Sequence, residues 1–270
     1  MKVMFGILSC LLVVFARAQI TDSSFSLVKT YKGDVAGAAV DNLDNLYIIS
    51  STGQVKKFGP KGDSIGVFNG IRAHGKLTAI DITNPLKPLL FYKDFSNVVV
   101  LDRFLANRVS LNLRKYNILQ PSAIGLSYDN NIWVFDTYDN KLKKMDEAGN
   151  LLLQTDDFRT LFNQPFAPQK IINENGFVYL ADSAVGIFVF DNYGTFKRKI
   201  ALKNWNAIDV TNGRIVRLSK DAVVVYNPLN FSERSFQYPS SFKPYLHSFT
   251  ANNKFITFSP DSLRIYRIGY

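Results

Sequence analysis

The residue types that do covalent or metal chemistry are few in this sequence and badly spaced for it. Its one cysteine is Cys10, and its two histidines, His74 and His247, stand 173 positions apart with no His or Cys partner at ligand spacing. That leaves nothing from which to build a zinc centre or a thiol nucleophile. A Gly-x-Ser-x-Gly elbow, a phosphate loop and a dinucleotide fingerprint are all missing; the nearest string, Gly125-Leu126-Ser127-Tyr128-Asp129, puts Ser127 at a strand end. A Ser–His–Asp set drawn from distant segments stays open, because such triads are defined by geometry and not by order. The expectation is a chain without catalytic residues, metal or cofactor.

The elements that would position any site come from an internal repeat. Six segments share one plan: a short apolar strand, a polar turn, a second strand, a turn of Asp, Ser or Gly, a third strand ending in a large apolar residue, and a more polar fourth strand. The first turn reads Asp41-Asn42-Leu43-Asp44-Asn45, Tyr128-Asp129-Asn130-Asn131, Asn173-Glu174-Asn175-Gly176, Thr211-Asn212-Gly213 and Ala251-Asn252-Asn253. Asn, Asp and Gly tolerate the positive φ of tight hairpins, so their recurrence has a mechanical cause. The third strands align on Val55, Val98, Leu142, Ile187, Val223 and Leu263, and three positions on, at Phe58, Leu101, Met145, Phe190, Tyr226 and Tyr266. Unit two is the least regular, with Asp81 to Pro88 in place of a short turn.

Six units of about 42 residues match four-stranded propeller blades. Small residues on the expected innermost strands, among them Ala36 to Ala39, Ala79, Ala123, Gly125 and Ala207, suit a crowded axis. The last unit, from about Tyr245, holds three strands, and Phe25 to Tyr31 is a strand without a unit. Together they complete one blade and remove an open edge. The expected fold is all-β, a six-bladed β-propeller with the N-terminal strand completing the last blade.

Asp136 and Asp182, with Asp94 as a further candidate, follow second strands, and Ser50, Ser219 and Ser259 occupy the same station. A carboxylate there accepts backbone N–H groups and fixes the turn, a structural role that outweighs a catalytic one. Ligands of propellers gather where the loops entering each inner strand meet the turns between second and third strands. In this sequence those entering loops carry Arg72 and His74, Gln120, Arg159 and Phe162, Trp205, and Lys243 and Tyr245, aromatics beside cations that suit a peptide or an acidic glycan.

The segment Tyr128-Asp129-Asn130-Asn131-Ile132-Trp133-Val134-Phe135-Asp136, followed by Lys141-Leu142-Lys143-Lys144-Met145-Asp146-Glu147-Ala148-Gly149-Asn150, resembles NHL-type repeats. Asn45 to Ile48 with Gly53 to Val55, and Val178 to Asp182, share part of the pattern. The whole chain is also similar to small exported propellers of Gram-negative bacteria. The resemblance implies a fold whose members bind peptides, glycans or RNA, or act as enzymes, so it does not name an activity. Among those enzymes are calcium-dependent lactonase-like hydrolases, which gather Glu, Asn and Asp around one ion at the channel mouth. Here the three glutamates, Glu147, Glu174 and Glu233, are expected in turns or outer strands, and Gln120-Pro121-Ser122 lacks the Asn–Asp pair that resemblance would call for.

Residues 1–18 read as a secretory signal peptide: Lys2, an apolar stretch from Val3 to Ala16, and Ala16-Arg17-Ala18 as the cleavage box. Cys10 lies inside the apolar stretch, which continues beyond it and argues against lipid attachment. Fourteen apolar residues are too few to span a bilayer as a helix, for which ~20 are needed. The mature domain, 19–270, then has no cysteine and is large enough to fold without disulfides. Of the formal charge of +10, Lys2 and Arg17 contribute two, and the rest is spread out, with short clusters at Lys56-Lys57, Lys141 to Lys144 and Lys197 to Lys199. Export makes nucleic acid an improbable partner; a protein or glycan ligand, a monomer and a location in the periplasm, on the outer-membrane surface or outside the cell are expected.

Overall fold

In the computed structural model, residues 25–239, 242 and 247–268 are described. The expected leader, Lys243 and Tyr245 lie outside them. Blade 1 is β2 (Gly37–Val40), β3 (Leu46–Ile49), β4 (Gln54–Phe58) and β5 (Ser64–Asn69), and α1 (Ile71–His74) leads into blade 2, with β6 (Ala79–Asp81), β7 (Leu89–Tyr92), β8 (Asn97–Leu101) and β9 (Asn107–Asn112). Blade 3 is β10 (Pro121–Leu126), β11 (Ile132–Asp136), β12 (Lys141–Met145) and β13 (Leu151–Gln154), and α2 (Phe158–Phe162) lies in the loop after it. Blade 4 is β14 (Lys170–Glu174), β15 (Phe177–Asp182), β16 (Gly186–Asp191) and β17 (Phe196–Ile200); blade 5 is β18 (Ala207–Thr211), β19 (Arg214–Leu218), β20 (Ala222–Asn227) and β21 (Ser232–Gln237). Blade 6 takes β22 (His247–Ala251), β23 (Lys254–Ser259) and β24 (Ser262–Ile268) from the end of the chain and β1 (Phe25–Lys32) from its start, in the order β1-β24-β23-β22.

Each sheet is an antiparallel meander of four strands, as the repeat predicts. The turns joining first and second strands put Asp44, Asn130, Asn175, Asn212, Asn252 and Asn253 at positive φ, together with Gly176 and Gly213. In β1, Leu27 pairs Tyr266 and Lys29 pairs Ile265, so Val28 is an extra residue that bends this ring-closing strand.

The buried side chains fall into six clusters, and each is the interface between two neighbouring blades. Strand periodicity explains this: Ile132 and Val134 of β11 pack towards blade 2, whereas Trp133 and Phe135 pack towards blade 4. All six residues of the first aligned column, Val55, Val98, Leu142, Ile187, Val223 and Leu263, are inaccessible to solvent, so the column marks one shared packing position.

The irregular loop of unit two is an anchored bridge. Its Lys87 is buried, reaches the carbonyl of Asn130 in blade 3, and pairs with Glu147 at 2.5 Å, while Asn84 Nδ2 donates to Asn130 Oδ1 at 2.8 Å. The basic cluster Lys141 to Lys144 is also largely turned inward. Lys143 Nζ meets Asp136 at 3.0 Å and Asp139 at 2.7 Å, and Lys144 Nζ meets Asp129 at 2.5 Å and lies 5.2 Å from the centroid of the Trp133 ring.

Candidate functional site on the loop face

The loops entering the inner strands and the turns between second and third strands form one face of the ring, and buried or half-buried acids hold it in shape. Asp136, wholly buried, accepts the N–H groups of Leu119, Gln120 and Tyr138 at 3.1, 2.9 and 3.2 Å, and Lys143 supplies its counter-charge. Asp182 does the same for Ala167, Ala184 and Val185. Both acids therefore fix an entering loop to a turn of the same blade. Ser50 and Ser219 accept Gln54 N–H and Ala222 N–H at 3.1 Å each, whereas Ser259 turns to Asp261 and Ser262.

In blade 2 the register places Tyr92, not Asp94, at this station, since Phe91 pairs Val98 as Phe135 pairs Leu142. Asp94 sits two residues further on, exposed, in a single 3₁₀ turn. Tyr92 is buried and its hydroxyl has no hydrogen-bond partner among the described residues; burial pushes its pKa up to about 12. Its ring centroid lies 5.2 Å from that of His74, and His74 Nδ1 is 3.5 Å from Asn97 Nδ2. Partial burial lowers the His74 pKa, which favours the neutral imidazole. Gly70, which precedes α1, leaves room for this packing: a Cβ there would come within 2.7 Å of the Tyr92 hydroxyl.

The other candidates are separated around the ring. Arg72, on α1 beside His74, is exposed and has no ion pair among the described residues. Gln120 is exposed at its side chain, and its carbonyl accepts from Thr137 N at 2.9 Å and Thr137 Oγ1 at 3.0 Å. Arg159 is paired within its own helix end, with Nη2 2.6 Å from Asp157. Trp205 is half-buried against the interface of blades 4 and 5, and its indole N–H has no partner among the described residues. Phe162 packs into the aromatic cluster of blades 3 and 4. Arg72 and His74 thus share one helical turn without a hydrogen bond or ring contact between their side chains, and Gln120, Arg159 and Trp205 stand on separate blades.

Along the axis, Lys170 of β14 reaches across to β18, meeting Ile208 O at 2.9 Å and Asp209 Oδ1 at 3.1 Å. Glu174 ends the innermost strand β14, contrary to the expectation of a turn or outer strand, because the hairpin closes one residue later, at Asn175-Gly176. Burial raises its pKa, with the Asp209 charge adding to the effect; hydrogen bonds from Asn212 and Gly213 work the other way. Among the described residues, no three His, Cys, Asp or Glu side chains converge to hold a metal.

Comparison with known proteins bears on the fold alone. No protein-family model matches the chain, and no curated protein matches it in sequence. Solved structures do match. The WD40 domain of Neurospora crassa Pan2 is 12% identical over 92% of this chain and 97% of that one, with a TM-score of 0.63. A catalytically inactive histidine-to-alanine variant of virginiamycin B lyase from Staphylococcus aureus, solved with quinupristin, is 10% identical over 89% and 99%, with a TM-score of 0.60. A Bacteroides fragilis protein thought to be exported is 11% identical over 93% and 97%, also at 0.60. These proteins define the class, the β-propeller, and at such identities they define nothing finer. Among the described residues no helix is long and apolar enough to cross a membrane.

Proposed function

We propose that this chain is an exported, NHL-like, monomeric propeller that works as a non-enzymatic binding or assembly scaffold in the cell envelope, taking a protein or glycan ligand on its loop face. The observation that carries this reading is how the acids of that face are used. Asp136 and Asp182 are engaged by backbone N–H groups, so they stiffen the rim and are not free for acid–base chemistry. What the face offers outward at the junction of blades 1 and 2 is cationic: Arg72, Lys76 and Lys93 are exposed and without ion pairs among the described residues, with Asp94 the acid beside them. Lys93 N donates to Thr78 Oγ1 at 3.1 Å, which ties the turn carrying it to the loop carrying Arg72. A rigid cationic rim with a half-buried Trp205 further round suits an acidic peptide or glycan. The export signal and the likeness to a protein thought to be exported support the location.

A pull-down from an envelope fraction tests this: the partner retained by the wild type should be lost from Arg72→Ala/Trp205→Ala, and an unchanged partner profile sinks the site. The competing proposal, a calcium-dependent lactonase-like hydrolase, requires an ion bound to the native state. Calcium would then raise the melting temperature and a chelator lower it. The scaffold reading expects no response to either and no lactone or ester hydrolysis.

A further inference from the structure

We propose that the cleft between the ring-closing strand β1 and blade 1 is a subsite for an acidic sugar, a pyranose ring that bears a carboxylate. The cleft encloses about 230 Å³ at the seam where the two ends of the chain meet. That is less than the ~300 Å³ at which pockets for drug-sized ligands begin, so it suits a single ring. Tyr31 of β1 and Phe58 of β4 wall it, their ring centroids 6.2 Å apart and their planes inclined by 40°. Half-exposed aromatic surface of this kind is what the apolar face of a sugar ring packs on.

The charge around the rings is positive. Lys32 and Lys56 line the cleft from its two sides; both are exposed, and neither side chain has an ion pair or hydrogen bond among the described residues. Lys29, outside the lining, lies against one wall, its Nζ 4.8 Å from the centroid of Tyr31. The acid in the lining, Asp34, accepts Ser51 N on both oxygens, at 3.0 and 3.1 Å, and Ser51 Oγ at 2.8 Å. It is therefore committed to the turn, and the two lysines of the lining face one engaged carboxylate. Ser50, Thr52 and Gln54 at the mouth supply hydroxyl and amide groups for ring hydroxyls. Cations alone would accept any anion; cations combined with aromatic walls and neutral polar groups select a carboxylated sugar.

The cleft shares the loop entering blade 1 and the turn after β3 with the face of the proposed binding loops, rests on that reading and names the ligand class for a glycan, but it uses none of the residues tested there. Titration calorimetry on the mature chain, with digalacturonate, neutral galactobiose and inorganic phosphate as probes, decides the matter. Digalacturonate should bind at one site, galactobiose roughly tenfold or more weaker, and phosphate should not displace it. Lys32→Glu/Lys56→Glu should weaken digalacturonate by roughly tenfold or more, whereas Arg72→Ala/Trp205→Ala should leave it unchanged. No binding, binding indifferent to the lysines, loss through Arg72 and Trp205, or phosphate binding as tightly as the sugar would each overturn the proposal. Ligand-free melting of the charge-reversed variant is measured alongside. Should that variant melt early, Lys56→Gln replaces it and must still weaken binding several-fold.

Discussion

The interface between blades 3 and 4 and the seam between blades 6 and 1 do the same job with different means. The first buries eleven residues, among them Trp133, Phe135, Phe158, Phe166, Phe188 and Phe190, with Phe158 stacked 5.2 Å from Phe190 and edge-on to Phe135 at 5.0 Å. The seam buries seven, most of them Val, Ile and Leu, and leaves a cleft. The loop entering blade 4 runs from 155 to 169 and folds α2 back as an aromatic plug, whereas the loop entering blade 1 is only residues 33–36. Where the entering loop is too short to send a large side chain inward, the outer part of a wedge-shaped gap stays open. The difference teaches that packing between blades here is completed by the loops, and that space for a ligand appears where they are shortest.

The largest effect is expected from removing the closure itself. A chain begun at Gly33 lacks β1, exposes the edge of β24 and should aggregate or lose cooperative unfolding, read by size-exclusion chromatography and thermal melting. Should that chain stay monomeric and cooperative, the seam is not what closes the ring.

Next come the core substitutions. Phe158→Ala should cost about 3–5 kcal/mol in chemical denaturation, because the surrounding rings are held by two sheets and cannot collapse into the hole. Phe58→Ala, at the already open seam, should cost only about 1–2 kcal/mol, since little sealed cavity is created. Equal costs would erase the contrast between the two regions. Asp136→Ala should approach the Phe158 value, about 3–5 kcal/mol, because the N–H groups of Leu119, Gln120 and Tyr138 lose their acceptor and Lys143 keeps only the less buried Asp139.

The smallest effect concerns an ion pair across the seam, Lys254 Nζ to Asp44 Oδ1 at 2.6 Å, with Asn252 Nδ2 at 3.1 Å. Burial works to raise the Asp44 pKa, but the hydrogen bonds from Lys254 and Asn252 and the Lys254 charge outweigh it, and the carboxyl titrates below its usual value. A depressed carboxylate stabilises the fold above the unfolded-state pKa, near ~4, and that contribution is lost as pH falls through the folded value. Wild type and Asp44→Asn should therefore differ in melting temperature at neutral pH, and the difference should shrink once pH falls below ~4 and vanish below the depressed folded-state value. A difference that persists in acid would assign Asp44 a role other than its charge.

Much of the architecture was legible before any coordinates. The third-strand columns, the Asn-rich turns and the orphan strand at Phe25 are local patterns, each imposed by strand alternation, by positive φ or by an unpaired edge. The site was less legible. Asp94 was aligned with Asp136 and Asp182 because unit two is irregular, and only strand register places Tyr92 there. Trp205 resembles a surface aromatic in sequence, yet it half-fills an interface between two blades whose approach no local pattern specifies.

By itself, then, the sequence determined six blades, their hairpins and which two ends must meet, since these follow from short-range periodicity. Only the tertiary structure decided which charges are used up inside and which remain outside. Lys143 and Lys144 turn inward to Asp136 and Asp129, while Lys32 and Lys56, on opposite walls of one cleft, have no ion pair among the described residues. A pairing of that kind depends on where each loop ends relative to the neighbouring blade, a distance set by the whole ring.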